Sequence, residues 1–164
     1  MKSKTPRGLK IPALSFTPKI LIVIAPYYSE VTDMLLTGAK TVFDTEKIKF
    51  DTVLVPGALE IPTAINLTSN HFDGFVALGC IIRGETSHYE IVSNESSNAL
   101  TLLGLQKLCI GNGILAVENY SQAITRADPK EQNKGGYAAE AVLHLIAIKS
   151  KFKTYFKKSL NHEI

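Results

Sequence analysis

ALGCIIRGETSHYEIVSNE, Ala77 to Glu95, contains the change of pattern that decides the fold. An unbroken apolar run, Phe75 to Ile82, stops at Arg83-Gly84-Glu85-Thr86, and His88 follows at once. Apolar runs of this kind mark strands buried on both faces of a parallel sheet. In open α/β sheets, ligands sit just past the carboxyl ends of such strands. Gly84 lets backbone N–H groups approach an anion closely, and a helix starting near Ser87 points its positive end there. An imidazole beside an anion cradle suits proton transfer on a phosphorylated substrate. The plainer alternative is a βα turn with Thr86 or Ser87 as helix cap and His88 on the surface.

Outward from this stretch, strand and helix patterns alternate. Strands are expected at Ile20–Ala25, Phe50–Val55, Phe75–Ile82 and Ile110–Val117. Gly111 and Gly113 interrupt the last of these, which suggests a close backbone approach. Helices are expected from Ser29 to Thr45, from about Leu59, from Ser87 to Lys107, from Tyr120 to Ala127 and from Gly136 to Phe156. The first carries the apolar stripe Val31, Leu35, Leu36, Ala39, Val42 and Phe43. Alternation of this kind gives parallel strands joined by right-handed crossovers. The expected fold is a flavodoxin-like three-layer α/β/α sandwich with a four-stranded parallel sheet. One domain spans 19–157, after an extended or disordered arm (1–18) and before a tail (158–164). The arm is a candidate to add a strand to a neighbouring subunit's sheet.

The 164 residues can bury a proper core without disulfide or metal staples. A net charge of +3 is too small to argue for nucleic acid, and the lysines gather near the two ends. Cys80 and Cys109 have no CxxC spacing and read as reduced, buried thiols, which fits a cytoplasmic protein. Prolines 6, 12 and 18 break the opening residues, so no secretory signal is expected, and no apolar run could span a bilayer.

Three strand ends and one later loop carry the candidate chemistry. Tyr27, after the first strand, can stack on a planar ring or act as a lid over the first helix. Val55-Pro56-Gly57-Ala58-Leu59-Glu60 offers loop N–H groups and a carboxylate for a polyol; Glu60 alternatively complements a helix dipole. Arg126 and Lys134, in and after Gln122–Arg126, could clamp a phosphate or lie in solvent.

Four pieces taken in order resemble the 6,7-dimethyl-8-ribityllumazine synthase family. They are VPGALEIP (Val55–Pro62), ALGCIIRGETSHYEIVSNES (Ala77–Ser96), ENYSQAITRA (Glu118–Ala127) and NKGGYAAEA (Asn133–Ala141). The resemblance covers Lys19 to Phe152. It implies an enzyme that condenses 5-amino-6-(D-ribitylamino)uracil with 3,4-dihydroxy-2-butanone 4-phosphate, without metal or organic cofactor. It further implies Tyr27 stacking on the pyrimidine, and Ala58, Leu59 and Glu60 holding the ribityl chain. Cys80, Ile81 and Ile82 would read the uracil edge. Gly84, Glu85, Thr86 and Arg126 would bind phosphate, and His88 would transfer protons. Asn112 and Lys134 would complete the pocket.

The same resemblance implies a homopentamer whose active sites lie between subunits, with Asn112, Arg126 and Lys134 coming from the next chain. Asp128–Gln132 lacks the glycine-containing turn of shell-forming members, which points to an isolated pentamer. Rival readings are a non-catalytic flavin or lumazine carrier, a Schiff-base enzyme using Lys134, and a purely structural shell protein.

Overall fold

The computed structural model describes residues 9–160, with side-chain surroundings through Lys153. Its elements are β1 (Ile20–Ile24), α1 (Ser29–Thr45), β2 (Phe50–Leu54), α2 (Glu60–Thr68), β3 (Gly74–Ile82), α3 (His88–Leu105), β4 (Ile110–Val117), α4 (Tyr120–Ala127) and α5 (Lys134–Leu160). The strands form one parallel sheet in the order β2-β1-β3-β4. This is the flavodoxin-like arrangement read from the sequence. The chain leaves β1 toward β2 and returns past it to β3, so the connections diverge between β1 and β3. The crevice beyond their carboxyl ends is where such sheets bind ligands.

Side-chain alternation divides the apolar residues between two faces. Ile20, Ile22, Ile24, Val76, Leu78 and Cys80 pack with Val31, Leu35 and Phe43 of α1, Ala123 and Ala127 of α4, and Val142, Leu143 and Ile146 of α5. Leu21, Val23, Ala25, Phe75 and Ala77 pack with Ile61 and Ile65 of α2 and Leu100 and Leu103 of α3. The second layer is thinner. Leu67, Ile91, Leu102 and Leu105 remain more than half exposed along it. Both cysteines are free and buried, as expected. Among the described residues, no helix is long and apolar enough to cross a membrane.

The expected close approach at β4 is present. A Cβ on Gly111 would lie 1.9 Å from the Ala138 carbonyl oxygen of α5. The largest boundary differences lie in α5, which starts two residues before the expected Gly136 and ends four after the expected Phe156. Gly135 and Gly136 sit inside the first turn, where a side chain would collide with Leu35 of α1 in the one case and with the Asn133 side chain in the other. A Cβ on Gly135 would fall 1.9 Å from the Leu35 carbonyl oxygen. Asn133, with φ of 45°, accepts the Gly136 N–H on Oδ1 at 3.1 Å and so caps the helix.

Within the arm, residues 1–8 lie outside the described residues. From residue 9 to Lys19 the chain has no helix or strand, and Ile11 and Leu14 pack against the α1/α5 core of their own chain. Of the expected tail, residues 161–164 lie outside the described residues, and α5 reaches Leu160.

Candidate active site

β1, β2 and β3 each deliver a carboxyl end or the loop that follows it to one cleft of about 480 Å³. Tyr27 and Tyr28 enter from the end of β1, Pro56 to Glu60 from the β2–α2 loop, and Cys80, Ile81 and Ile82 from the end of β3. Gly84, Thr86, His88, Tyr89 and Val92 close the side formed by the start of α3. The sequence-expected residues Tyr27, Ala58, Leu59, Glu60, Cys80, Ile81, Ile82, Gly84, Thr86 and His88 therefore converge.

Glu85, Asn112, Arg126 and Lys134 do not line this cleft. Glu85 is exposed in the loop. Asn112 is exposed on β4, where its Oδ1 accepts the Ile114 N–H at 2.9 Å. Arg126 donates to the Gln122 carbonyl at 3.3 Å, and Lys134 lies 5.4 Å from the Tyr137 ring centroid. Among the described residues, no Lys or Arg lines the cleft.

Tyr27 projects with 76% of its surface exposed. Behind it, Tyr28 packs edge-on against Tyr27 and Tyr120, with centroids 5.0 and 6.4 Å away. Tyr120 is fixed by donating to Glu30 at 2.5 Å. An aromatic side chain exposed over a firm base is suited to stacking. Burial, then the neighbouring Tyr27 and Cys80, pushes the Tyr28 hydroxyl above its usual range. Burial likewise pushes the Cys80 thiol up to about 11. Cys80 is thus a neutral wall of the cleft rather than a nucleophile.

At the phosphate-type loop, Gly84 has no positive φ, and a Cβ added there would meet nothing within 4 Å. Neither backbone conformation nor crowding inside the chain requires glycine at this point. The space it leaves faces outward, available to a ligand. Ser87 holds the cap position of α3 without bonding to it, while the Thr86 hydroxyl accepts the His88 N–H at 3.4 Å. The His88 and Glu60 side chains are exposed and make no hydrogen bond or ion pair among the described residues.

Just before this loop, Arg83 is held on several sides. Its Nε donates to Glu118 at 2.7 Å, its Nη1 pairs with Glu90, and its guanidinium lies 4.1 Å from the Tyr89 ring centroid. The Glu90 and Glu118 bonds raise the Arg83 pKa, and the Arg83 bond lowers that of Glu90.

Sequence reasoning left Tyr28, Pro56, Gly57, Tyr89 and Val92 out of the site. Val92 had a usable signal: a residue four after His88 lies on the same helix face, one turn on. Pro56 and Gly57 belong to a loop already singled out. Tyr28 depends on the fold of its aromatic neighbours, which local spacing does not reveal.

A family model described as 6,7-dimethyl-8-ribityllumazine synthase matches residues 17–150. Among curated proteins, the chain is similar to the 6,7-dimethyl-8-ribityllumazine synthase of Jannaschia sp. (strain CCS1), at 51% identity over 90% of this chain and 84% of that protein. It is 53% identical to the protein of the same name from Sphingopyxis alaskensis, over 81% of this chain and 96% of that one. The Bartonella tribocorum protein of that name is 52% identical, over 82% and 92% of the two chains.

Proposed function

Because the chain belongs to the 6,7-dimethyl-8-ribityllumazine synthase family, we propose that it is the transferase that makes this lumazine in riboflavin biosynthesis. It condenses 5-amino-6-(D-ribitylamino)uracil with 3,4-dihydroxy-2-butanone 4-phosphate and releases phosphate and water. The observation that carries this reading is the convergence of an exposed aromatic ring, a free carboxylate, a free imidazole and an open glycine flank at one strand-end cleft.

The residues divide the work by their chemistry. Tyr27 stacks on the pyrimidine, and the β3 end at Cys80, Ile81 and Ile82 presents backbone groups to the uracil edge. Glu60, with Ala58 and Leu59, accepts hydroxyl protons of the ribityl chain. Gly84, Glu85 and Thr86 receive the phosphate. The substrate amine attacks the butanone carbonyl to give a Schiff base with loss of water. Departure of phosphate, tautomerisation and ring closure follow. Each step moves a proton, and His88 accepts and returns it. Holding two reactants in register supplies much of the acceleration.

A dianion in a cleft lined by no lysine or arginine needs charge from elsewhere. Arg126 and Lys134 of an adjacent copy supply it, with Asn112 of that copy at the pocket wall, in a cytoplasmic homopentamer that closes over the exposed leucines of α2 and α3. The decisive experiment mixes purified protein with both substrates and follows the product by absorbance and fluorescence. Product well above the uncatalysed background is expected; none from a folded, oligomeric sample would overturn the reading.

A further inference from the structure

Arg83 sits immediately before the phosphate-type loop, yet it does not line the cleft and its guanidinium pairs with two carboxylates. The ties connect three elements. Glu90 lies in the first turn of α3, and Glu118 follows β4. The Arg83 N–H, at the end of β3, donates to the Val117 carbonyl at 3.0 Å. Tyr89, under the guanidinium, is itself a wall of the cleft. All three charged side chains are well exposed, with 40% or more of each side chain open to solvent. Pairs this exposed contribute little to stability, so the arrangement calls for a reason other than holding the fold.

The charge count supplies one. Glu90 and Glu118 are both negative, and both bond to Arg83, the residue immediately before the loop spanning Gly84 to Thr86. Without Arg83 they would present two uncompensated negative charges next to the place where a phosphate must sit. Like charges at a recognition site suppress binding, and a planar guanidinium answers two carboxylates where a single ammonium does so less well.

We infer that Arg83 is a positioning residue for the phosphorylated substrate: it screens Glu90 and Glu118 from the phosphate loop and pins Tyr89 as the cleft wall, without touching the phosphate itself. The inference rests on the function proposed above. It separates Arg83 from Arg126, whose proposed role is direct phosphate contact.

The test measures KM for each substrate, and equilibrium binding of inorganic phosphate, in the wild-type chain, Arg83→Ala, Arg83→Lys and Arg83→Ala/Glu118→Gln. Arg83→Ala is expected to raise KM for the butanone phosphate roughly tenfold, on the scale of unfavourable charge at a site. KM for the pyrimidine should change less than about twofold. Added salt should narrow the gap, because it screens exposed charges. Arg83→Lys should fall between, and the double variant should recover part of the loss. If KM rises equally for both substrates, Arg83 is merely structural and the inference fails. It also fails if the loss persists in the double variant and at high salt, which would make Arg83 a direct phosphate ligand. Phosphate binding needs no turnover. A wild-type chain that binds phosphate more tightly than Arg83→Ala yet forms no product would overturn the proposed function while sustaining the screening role.

Discussion

The two faces of the sheet are built to different standards. On the α1/α4/α5 face, Val31, Leu35, Ala39 and Phe43 are fully buried, and Gly111 and Gly135 bring backbones into direct contact with neighbouring helices. On the α2/α3 face, Leu67 and Leu105 are each more than three-quarters exposed, and α3 buries only Ser96, Leu100 and Leu103. The contrast separates two tasks. The first face is complete within one chain and supplies stability. The second begins both of its helices at the cleft, with Glu60 and His88, and leaves apolar surface that a second copy can cover.

The strongest way to break this comparison is to add volume to the tight face. Gly111→Val would drive a side chain into the Ala138 carbonyl, and a loss above about 3 kcal/mol, or failure to fold, is expected. Next comes Phe43→Ala, which should cost roughly 3–5 kcal/mol in chemical unfolding. Leu105→Ala, on the other face, should stay within about 0.5 kcal/mol for the isolated chain. Equal costs for these two leucine and phenylalanine truncations would show that the faces are not different.

His88→Ala sharpens the division from the functional side. Turnover should fall by up to roughly a hundredfold, with its pH dependence flattened and the melting temperature unchanged. Unchanged turnover across pH would remove the proton-transfer role. Leu105→Lys should weaken assembly, read by sedimentation, while leaving circular dichroism intact; an unchanged oligomer would place the interface elsewhere.

The smallest effect concerns Cys80, which belongs to the tight face and also lines the cleft. Its thiol is raised from 9.0 to about 11 by burial, so the folded state favours the neutral form. Stability from this group is full below about pH 9 and declines as pH rises toward about 11, because the unfolded chain loses the proton first. Alkylation of the native protein at pH 8 should be slow, and unfolding in denaturant should release it. Fast native alkylation would mean that the β3 end is more open than its packing indicates.

Much of the fold was legible because its signals are local. Unbroken apolar runs marked β1 and β3, shorter apolar stretches marked β2 and β4, and the stripe from Val31 to Phe43 marked α1. The strand-end rule alone places Tyr27, Glu60, Gly84 and His88 at one edge. The start of α5 two residues before Gly136 was not legible because propensity counts only what a residue does within its own helix. Gly135 answers to Leu35, a residue of another element a hundred positions earlier. Tyr28 escapes local reading for the same kind of reason, since Tyr120 of α4, itself held by Glu30 of α1, packs against it.

The amino-acid sequence thus determined which segments become strands and helices, their parallel alternation and the family resemblance, since periodicity and short motifs lie along the chain. Only the tertiary structure decided that Arg83 faces Glu90 and Glu118, that nothing crowds Gly84, and that Arg126 and Lys134 stand apart from the cleft of their own chain. Distances between groups far apart in sequence depend on how layers pack, and no local pattern encodes them.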